Sequence, residues 1–177
     1  DRAPSNRLPQ GQMRVLFSCL IAGLTHMHRH GVYHRDIKPD NLMLVNERLL
    51  RISDFGTAVP DSSTEGVGAP AFQPPEVARD GKAPSTAKLD IWAAGVTLYT
   101  MATGKHPFEE QGTVYQLFEE IAKCDIDIPA FVPDVLGGLI RGMLEQDPAK
   151  RLSLEQISRH PWLSAQQEAA DLQNPVV

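Results

Sequence analysis

Two short strings carry the residue types that phosphoryl transfer to a hydroxyl demands. HRDIKPDN occupies positions 34–41 and DFG positions 54–56, so Asp54 follows Asn41 by thirteen positions. That reaction needs one group to orient the nucleophile and accept its proton, and hard oxygen ligands for a Mg²⁺ that bridges phosphates and offsets developing charge. Asp36 suits the first task; Asn41 and Asp54 suit the second, with phosphates and waters completing an octahedron. Lys38, two residues after Asp36, is placed to reach the transferred phosphoryl group as a point charge. The bland alternative, that His34, Asp36 and Asp54 are ordinary loop polars, must account for two complete strings at this spacing. Nowhere do the 177 residues contain GxGxxGxV or a lysine in a VAIK-like strand, the parts that cover and grip nucleotide phosphates.

The elements that must hold these residues can be read from periodicity. Met13, Leu16, Phe17, Leu20, Ile21, Leu24 and Met27 recur at spacings of three and four, one face of a long helix that Gly31 ends. Short apolar runs at 42–45 and 49–52, separated by Asn46, Glu47 and Arg48, predict a hairpin with Asn41 before one strand and Asp54 after the other. Residues 57–73 have no period and read as a long functional loop, followed by a short helix near Pro74, Pro75 and Glu76. Residues 87–101 are apolar almost all round, which for a helix means a central buried post; its polar exception, Asp90, needs donors. Three more helices are predicted around Val114 to Ile121, Val135 to Leu144, and Leu154 with Ile157, the last stopped by Pro161. Residues 164–177 form a polar tail, and no internal repeat is present.

Composition narrows the classes. With 42% hydrophobic and 22% charged residues the chain has the balance of a soluble globular domain, long enough to bury a real core. No apolar run approaches the ~18 residues of a membrane span, so no membrane partner is expected. A net charge of −5 supplies no basic field for nucleic acid. Cys19 and Cys124 lack metal or redox spacing, which fits two ordinary thiols in a reducing compartment, with one bridge as the weaker alternative. The chain begins at Asp1 without a signal-like segment and reads as a piece of something longer.

The strings at 34–41 and 54–56, over residues 8–163, resemble the large C-terminal lobe of eukaryotic protein kinases. The resemblance implies a mainly α fold with a small β ribbon, a partial kinase domain over 1–163, a tail over 164–177, and no N-terminal lobe in this chain. It implies ATP and Mg²⁺ as cofactors, Asp36 as catalytic base, Lys38 on the phosphate, Asn41 and Asp54 as Mg²⁺ ligands, and Leu44 beneath the nucleotide. Arg35 corresponds to the catalytic-loop arginine that elsewhere binds an activating phosphate. Phe55 and His34 resemble the lower part of the regulatory spine, Asp90 the brace of the catalytic-loop backbone, and Glu76 the partner of a late arginine, here Arg151. GAPAFQPPE (68–76), DIWAAGVTLYTMATGKHPFE (90–109) and GMLEQDPAKRLS (142–153) are most similar to the liver kinase B family. That family implies a cytoplasmic or nuclear Ser/Thr kinase acting on AMP-activated protein kinase and its relatives, bound to a pseudokinase adaptor and a helical-repeat scaffold. Calcium/calmodulin-dependent kinase kinases are the runner-up, though they usually carry Met-Ala where this chain has Gln73 and Pro74.

One departure is Ala69, where most Ser/Thr kinases place a hydroxyl that touches the base and its lysine; a lowered rate is the expectation. A second is Glu65, eleven residues before Glu76, where many carry the activating phosphothreonine; a carboxylate there is a candidate partner for Arg35, with Ser62, Ser63 and Thr64 as candidate phosphosites. Two motifs are decoys. Gly66, Gly68 and Ala71 fit GxGxxA without a strand-turn-helix context, and of His26, His28, His30 and His34 only the first and third share a helix face. A function of another class stays open, a truncated lobe that only binds a kinase partner or substrate through its helices at 113–123 and 134–145. The complete Asp36, Asn41 and Asp54 set argues for the enzyme, because a binder has no chemical need of it.

Overall fold

The computed structural model describes residues 8–60, 68–81, 85–108 and 112–164. Helix α1 (Gln10–Arg29) buries the face its periodicity marks, from Met13 to Met27, and ends where Gly31 turns at φ 69°. Two small antiparallel ribbons follow. One is the expected hairpin, β2 (Leu42–Asn46) with β3 (Leu49–Ile52), in register Leu42 to Ile52 with an irregularity between Leu44 and Asn46. The other joins β1 (Val32–Tyr33) to β4 (Val59–Pro60), and it clamps the two ends of the 34–58 segment together. Two-residue strands have no period to read, so this second ribbon is absent from the sequence expectation.

Helix α2 (Pro75–Asp80) begins at the Pro-Pro-Glu string, with Pro75 in the first turn where its missing N–H costs nothing. Helix α3 (Thr86–Thr103) is the central post: eleven consecutive positions, Leu89 to Tyr99, are buried, and Gly104 stops it at φ 74°. Helix α5 (Asp134–Met143) packs against it, α6 (Leu154–Ser158) against α1, and α4 (Val114–Lys123) against α2. α4 and α6 each open on a capping box, Thr113 with Gln116 and Ser153 with Gln156. Pro161, expected as a stop, instead opens a further helical turn over 161–164, because proline suits a first helical position. Trp162 of that turn packs edge-on against Phe17 of α1 at 6.2 Å, closing the core. The tail beyond 164 lies outside the described residues. Cys19 and Cys124 are free thiols, and burial pushes the Cys124 thiol up to about 11, so it behaves as a small core residue. No helix among the described residues is long and apolar enough to cross a membrane.

α3 and α5 approach closely at Gly95. A Cβ there would lie 2.9 Å from Met143 Cβ and 3.0 Å from Leu144 Cδ2, and neither α5 backbone nor a Cβ can swing away. Gly95→Val is therefore expected to cost about 3 kcal/mol, the upper end of overpacking penalties, read as a lowered urea midpoint at unchanged slope.

Candidate active site

The segment from His34 to Asn41 is not held by its own regular structure; it is held by Asp90. That carboxylate, fully buried on α3, accepts the backbone N–H of Arg35 on Oδ1 at 2.7 Å and the N–H of His34 on Oδ2 at 2.9 Å. His28 Nε2, from α1, sits 2.8 Å from the same Oδ2. The buried charge thus has the three donors that its sequence position demanded. Arg35 takes a left-handed φ of 65°, a conformation that costs a non-glycine residue and persists here because both flanking amides are pinned.

Around this brace the loop is wired to the 53–57 segment. His34 Nε2 donates to Ser53 O at 2.9 Å while its Nδ1 accepts from Asp36 N at 3.4 Å, so one tautomer satisfies both contacts. Thr57 Oγ1 donates to His34 O, and Arg35 Nε to Thr57 O, each at 2.9 Å. The His34 and Phe55 rings meet edge-on at 5.3 Å. Ser53 donates through both N and Oγ to Asn41 O at 2.9 and 3.0 Å, which brings the Asn41 turn (Pro39–Asn41) beside the strand that delivers Asp54.

Asp36 is the centre of the arrangement. Its Oδ2 accepts Lys38 Nζ at 2.8 Å and Asn41 Nδ2 at 2.9 Å; its Oδ1 accepts the Ala69 N–H at 2.9 Å. Burial acts to raise the pKa of this carboxyl, but the Lys38 ammonium and the Ala69 and Asn41 amides together outweigh it and hold the group below the ordinary aspartate value. It is an ionised acceptor at neutral pH. Asn41 Nδ2 also donates to Asp36 O at 2.7 Å, so the amide nitrogen is spent inward and Asn41 Oδ1 is the atom left for a ligand. Asp54 is exposed, at φ 59°, with one oxygen lightly engaged by Gly56 N at 3.3 Å. Leu44 stands on β2 with 59% of its surface open, flanked by exposed Met43 and Val45.

Beside Lys38 and Asn41 lies an open cleft of ≈ 640 Å³, walled by Ala69, Phe72, Val114 and Leu117. His26 and His30 touch at 4.4 Å, but His30 Nδ1 is bonded to His26 O, and no group of metal-ligating side chains of three or more occurs among the described residues. Glu65, Ser62, Ser63, Thr64 and Gly66 lie outside the described residues.

The pattern that defines the protein kinase domain matches residues 3–163. The chain belongs to the protein kinase family. Its helical body with small antiparallel ribbons is the kinase-like fold expected from the sequence. The liver kinase B resemblance also holds: the serine/threonine-protein kinase STK11 of Rattus norvegicus is 43% identical across 99% of this chain, and that of Gallus gallus 44% identical across 99%. A calcium/calmodulin-dependent protein kinase kinase, cmkC of Emericella nidulans, is 38% identical over 85% of the chain. The chain spans 42% of the rat relative's length and 30% of the fungal one's. Within the kinase frame, sequence reasoning named Asp36, Lys38, Asn41, Asp54, Arg35 and Leu44, and the fold gathers the first three on one carboxylate. It missed three contributors. These are the Ala69 amide, and Ser53 and Thr57, which tie the two loops; backbone donors and short hydroxyl residues leave no motif, the sole signal being the glycine that precedes Ala69.

Proposed function

We propose that the chain is the C-terminal lobe, residues 1–163, of a Ser/Thr protein kinase that transfers the ATP γ-phosphoryl group to a protein hydroxyl. One observation carries this reading: an ionised Asp36 fixed by Lys38 and Asn41 on one oxygen, with Asp90 locking the backbone that presents it. A lobe that only binds partners has no use for that wiring. Asp36 orients the incoming hydroxyl and takes its proton, and Lys38, within reach of the same oxygen, follows the phosphoryl group as charge moves to it. Asn41 Oδ1 and the Asp54 carboxylate are the hard oxygen donors suited to Mg²⁺, and two protein ligands completed by phosphates and water is the pattern that ion favours. When bound, the ion offsets phosphate charge and aligns the leaving group. Leu44 supplies an apolar floor under the base, and the cleft beside Lys38 takes the polypeptide that flanks the hydroxyl.

An upstream role is proposed on the likeness to STK11 and to a kinase kinase, with AMP-activated protein kinase-like enzymes as substrates, a pseudokinase adaptor with a helical-repeat scaffold as partners, and a cytoplasmic or nuclear site of action. The test joins the chain to a lobe bearing a glycine-rich loop and its lysine and measures transfer of radiolabelled phosphate to a kinase substrate. A polypeptide of these 177 residues by itself is expected to fall far below about 1 turnover per second, because the phosphates lack most of their positioning. Robust turnover by that chain, or none by the joined protein, refutes the reading.

A further inference from the structure

One wall of the cleft beside Lys38, formed by Val114 and Leu117, belongs to a helix that the core barely holds. Of the ten residues of α4 only Ile121 is fully buried, and the helix packs chiefly against α2 and the turn over Pro70–Phe72. Ala122 O is among the last four carbonyls of α4, which have no donor within the helix. Two side chains from separate elements converge on that oxygen. Arg79 Nη2, from α2, donates to it at 2.6 Å, and Gln146 Nε2, from the segment after α5, at 2.8 Å. We infer that Arg79 and Gln146 are positioning residues for the polypeptide cleft: together they pin the C-terminal end of α4 and so fix where Val114 and Leu117 stand against an incoming substrate chain. The inference deepens the kinase reading of the cleft and rests on it.

The pin is itself anchored in the interior, and one side chain does it. Buried Arg151 meets both Glu76 oxygens at 2.8 Å, and Glu76 lies one turn before Arg79 on α2. Arg151 Nε donates to Glu145 O at 2.9 Å and Nη2 reaches Gln146 O at 3.5 Å, so the backbone that carries Gln146 hangs from the same guanidinium. Charge favours the contact as well, because a cation at a helix C-terminus complements the partial negative charge of its free carbonyls. The length of the helix sets the consequence. Val114 stands eight residues from Ala122, about 12 Å along the axis, so a tilt of about 10° about the pinned end shifts it by about 2 Å. Misplacement on that scale is enough to spoil the alignment of a bound chain with the site that acts on it.

The probe is a peptide copying the activation loop of an AMP-activated protein kinase-like enzyme, presented to the joined two-lobe enzyme. Arg79→Met and Gln146→Met are each expected to raise KM for this peptide by about 3-fold, a modest loss because Arg79 is exposed and the other donor remains. The double variant should exceed the product of the two, since it alone leaves Ala122 O without either donor. Both kcat and KM for ATP should stay within about 2-fold, because the wiring of Asp36, Lys38 and Asn41 uses neither side chain. Arg79→Lys keeps a cationic donor and should recover most of the parental KM. Val114→Ala trims the wall itself, so adding the double substitution to it should raise KM by less than it does in the parent.

A readout free of activity separates this inference from the kinase reading. Cys124 closes the C-terminal end of α4 at φ 54°, two residues past Ala122, with its half-buried thiol on Leu144 O at 3.5 Å. In the 177-residue chain its alkylation by iodoacetamide, followed by mass spectrometry with Cys19 as internal reference, is expected to be slow. The double Met variant should alkylate Cys124 about 10-fold faster and Cys19 at the parental rate, because an unpinned helix end lets water reach the thiol. Should the joined enzyme prove inactive while Cys124 is released in this way, the kinase reading fails and the pinning of α4 stands. A parental Cys124 rate in the double variant overturns the inference. So does an active double-variant enzyme with parental KM for the peptide, or one whose loss lies in kcat alone, which is what damage to the phosphoryl-transfer site produces.

Discussion

Asp36→Asn in the joined two-lobe enzyme is expected to lower kcat by roughly 10² to 10⁴ while KM for ATP changes little. The substitution keeps the shape and one hydrogen-bonding oxygen, yet it removes the charge that Lys38, Asn41 and the Ala69 amide converge on. An amide nitrogen facing Lys38 Nζ or Ala69 N sets donor against donor, so the replacement also leaves one of those groups unpaired. Asp54→Asn is expected to act on a different parameter. Among the described residues its carboxylate is engaged by Gly56 N at 3.3 Å, so the loop loses little, but a hard anionic oxygen is lost from the metal-ligand pair. KM for Mg-ATP should rise, and raised Mg²⁺ should recover part of the rate, which it cannot do for Asp36→Asn. Steady-state kinetics across a Mg²⁺ series checks both, and equal effects of the two substitutions on nucleotide affinity would refute the separate roles.

The difference between these two carboxylates marks what the sequence could and could not tell. Both stand in strings that name their chemistry, and the period-3.6 stripes of α1, α4 and α5 and the all-round apolarity of α3 placed the body that carries them. Asp90 was legible as a brace because a charge inside an apolar helix must be paid for with donors, and it has them. Where reading failed, the cause was locality. The β1–β4 ribbon joins residues 28 and 26 positions apart through two pairs, Val32 with Pro60 and Tyr33 with Val59, and neither strand is long enough to show a pattern. The Ala69 contact uses a backbone N–H common to every non-proline residue, so no side-chain identity at 69 announces it. Pro161 was ambiguous in kind, since proline both ends one helix and begins another. Glu65, whose proposed pairing with Arg35 lies outside the described residues, marks the part of the loop where sequence alone still speaks.

The largest stability effect should come from the Glu76 and Arg151 pair, which fastens α2 to the segment before α6. Arg151 is buried, and all five of its N–H groups are directed at acceptors. Nη1 and Nη2 meet the two Glu76 oxygens at 2.8 Å each, Nε donates to Glu145 O at 2.9 Å, Nη1 also to Lys88 O at 3.0 Å, and Nη2 reaches Gln146 O at 3.5 Å. Its guanidinium lies over Trp92, 4.9 Å from the ring centre. Lys88 in turn donates to Arg151 O and Leu152 O; burial first, and then the Arg151 charge, depress its pKa. Glu76→Met leaves that cation buried without its counter-ion and is expected to cost about 3 to 5 kcal/mol in urea unfolding. Arg151→Met should cost more, because three backbone carbonyls lose their donor along with the carboxylate. The double variant should be less damaging than the sum of the two, since it removes both buried charges and leaves only the carbonyls unpaired. A loss below about 1 kcal/mol for Glu76→Met, or strict additivity in the cycle, would show that the pair is no more than a solvated contact.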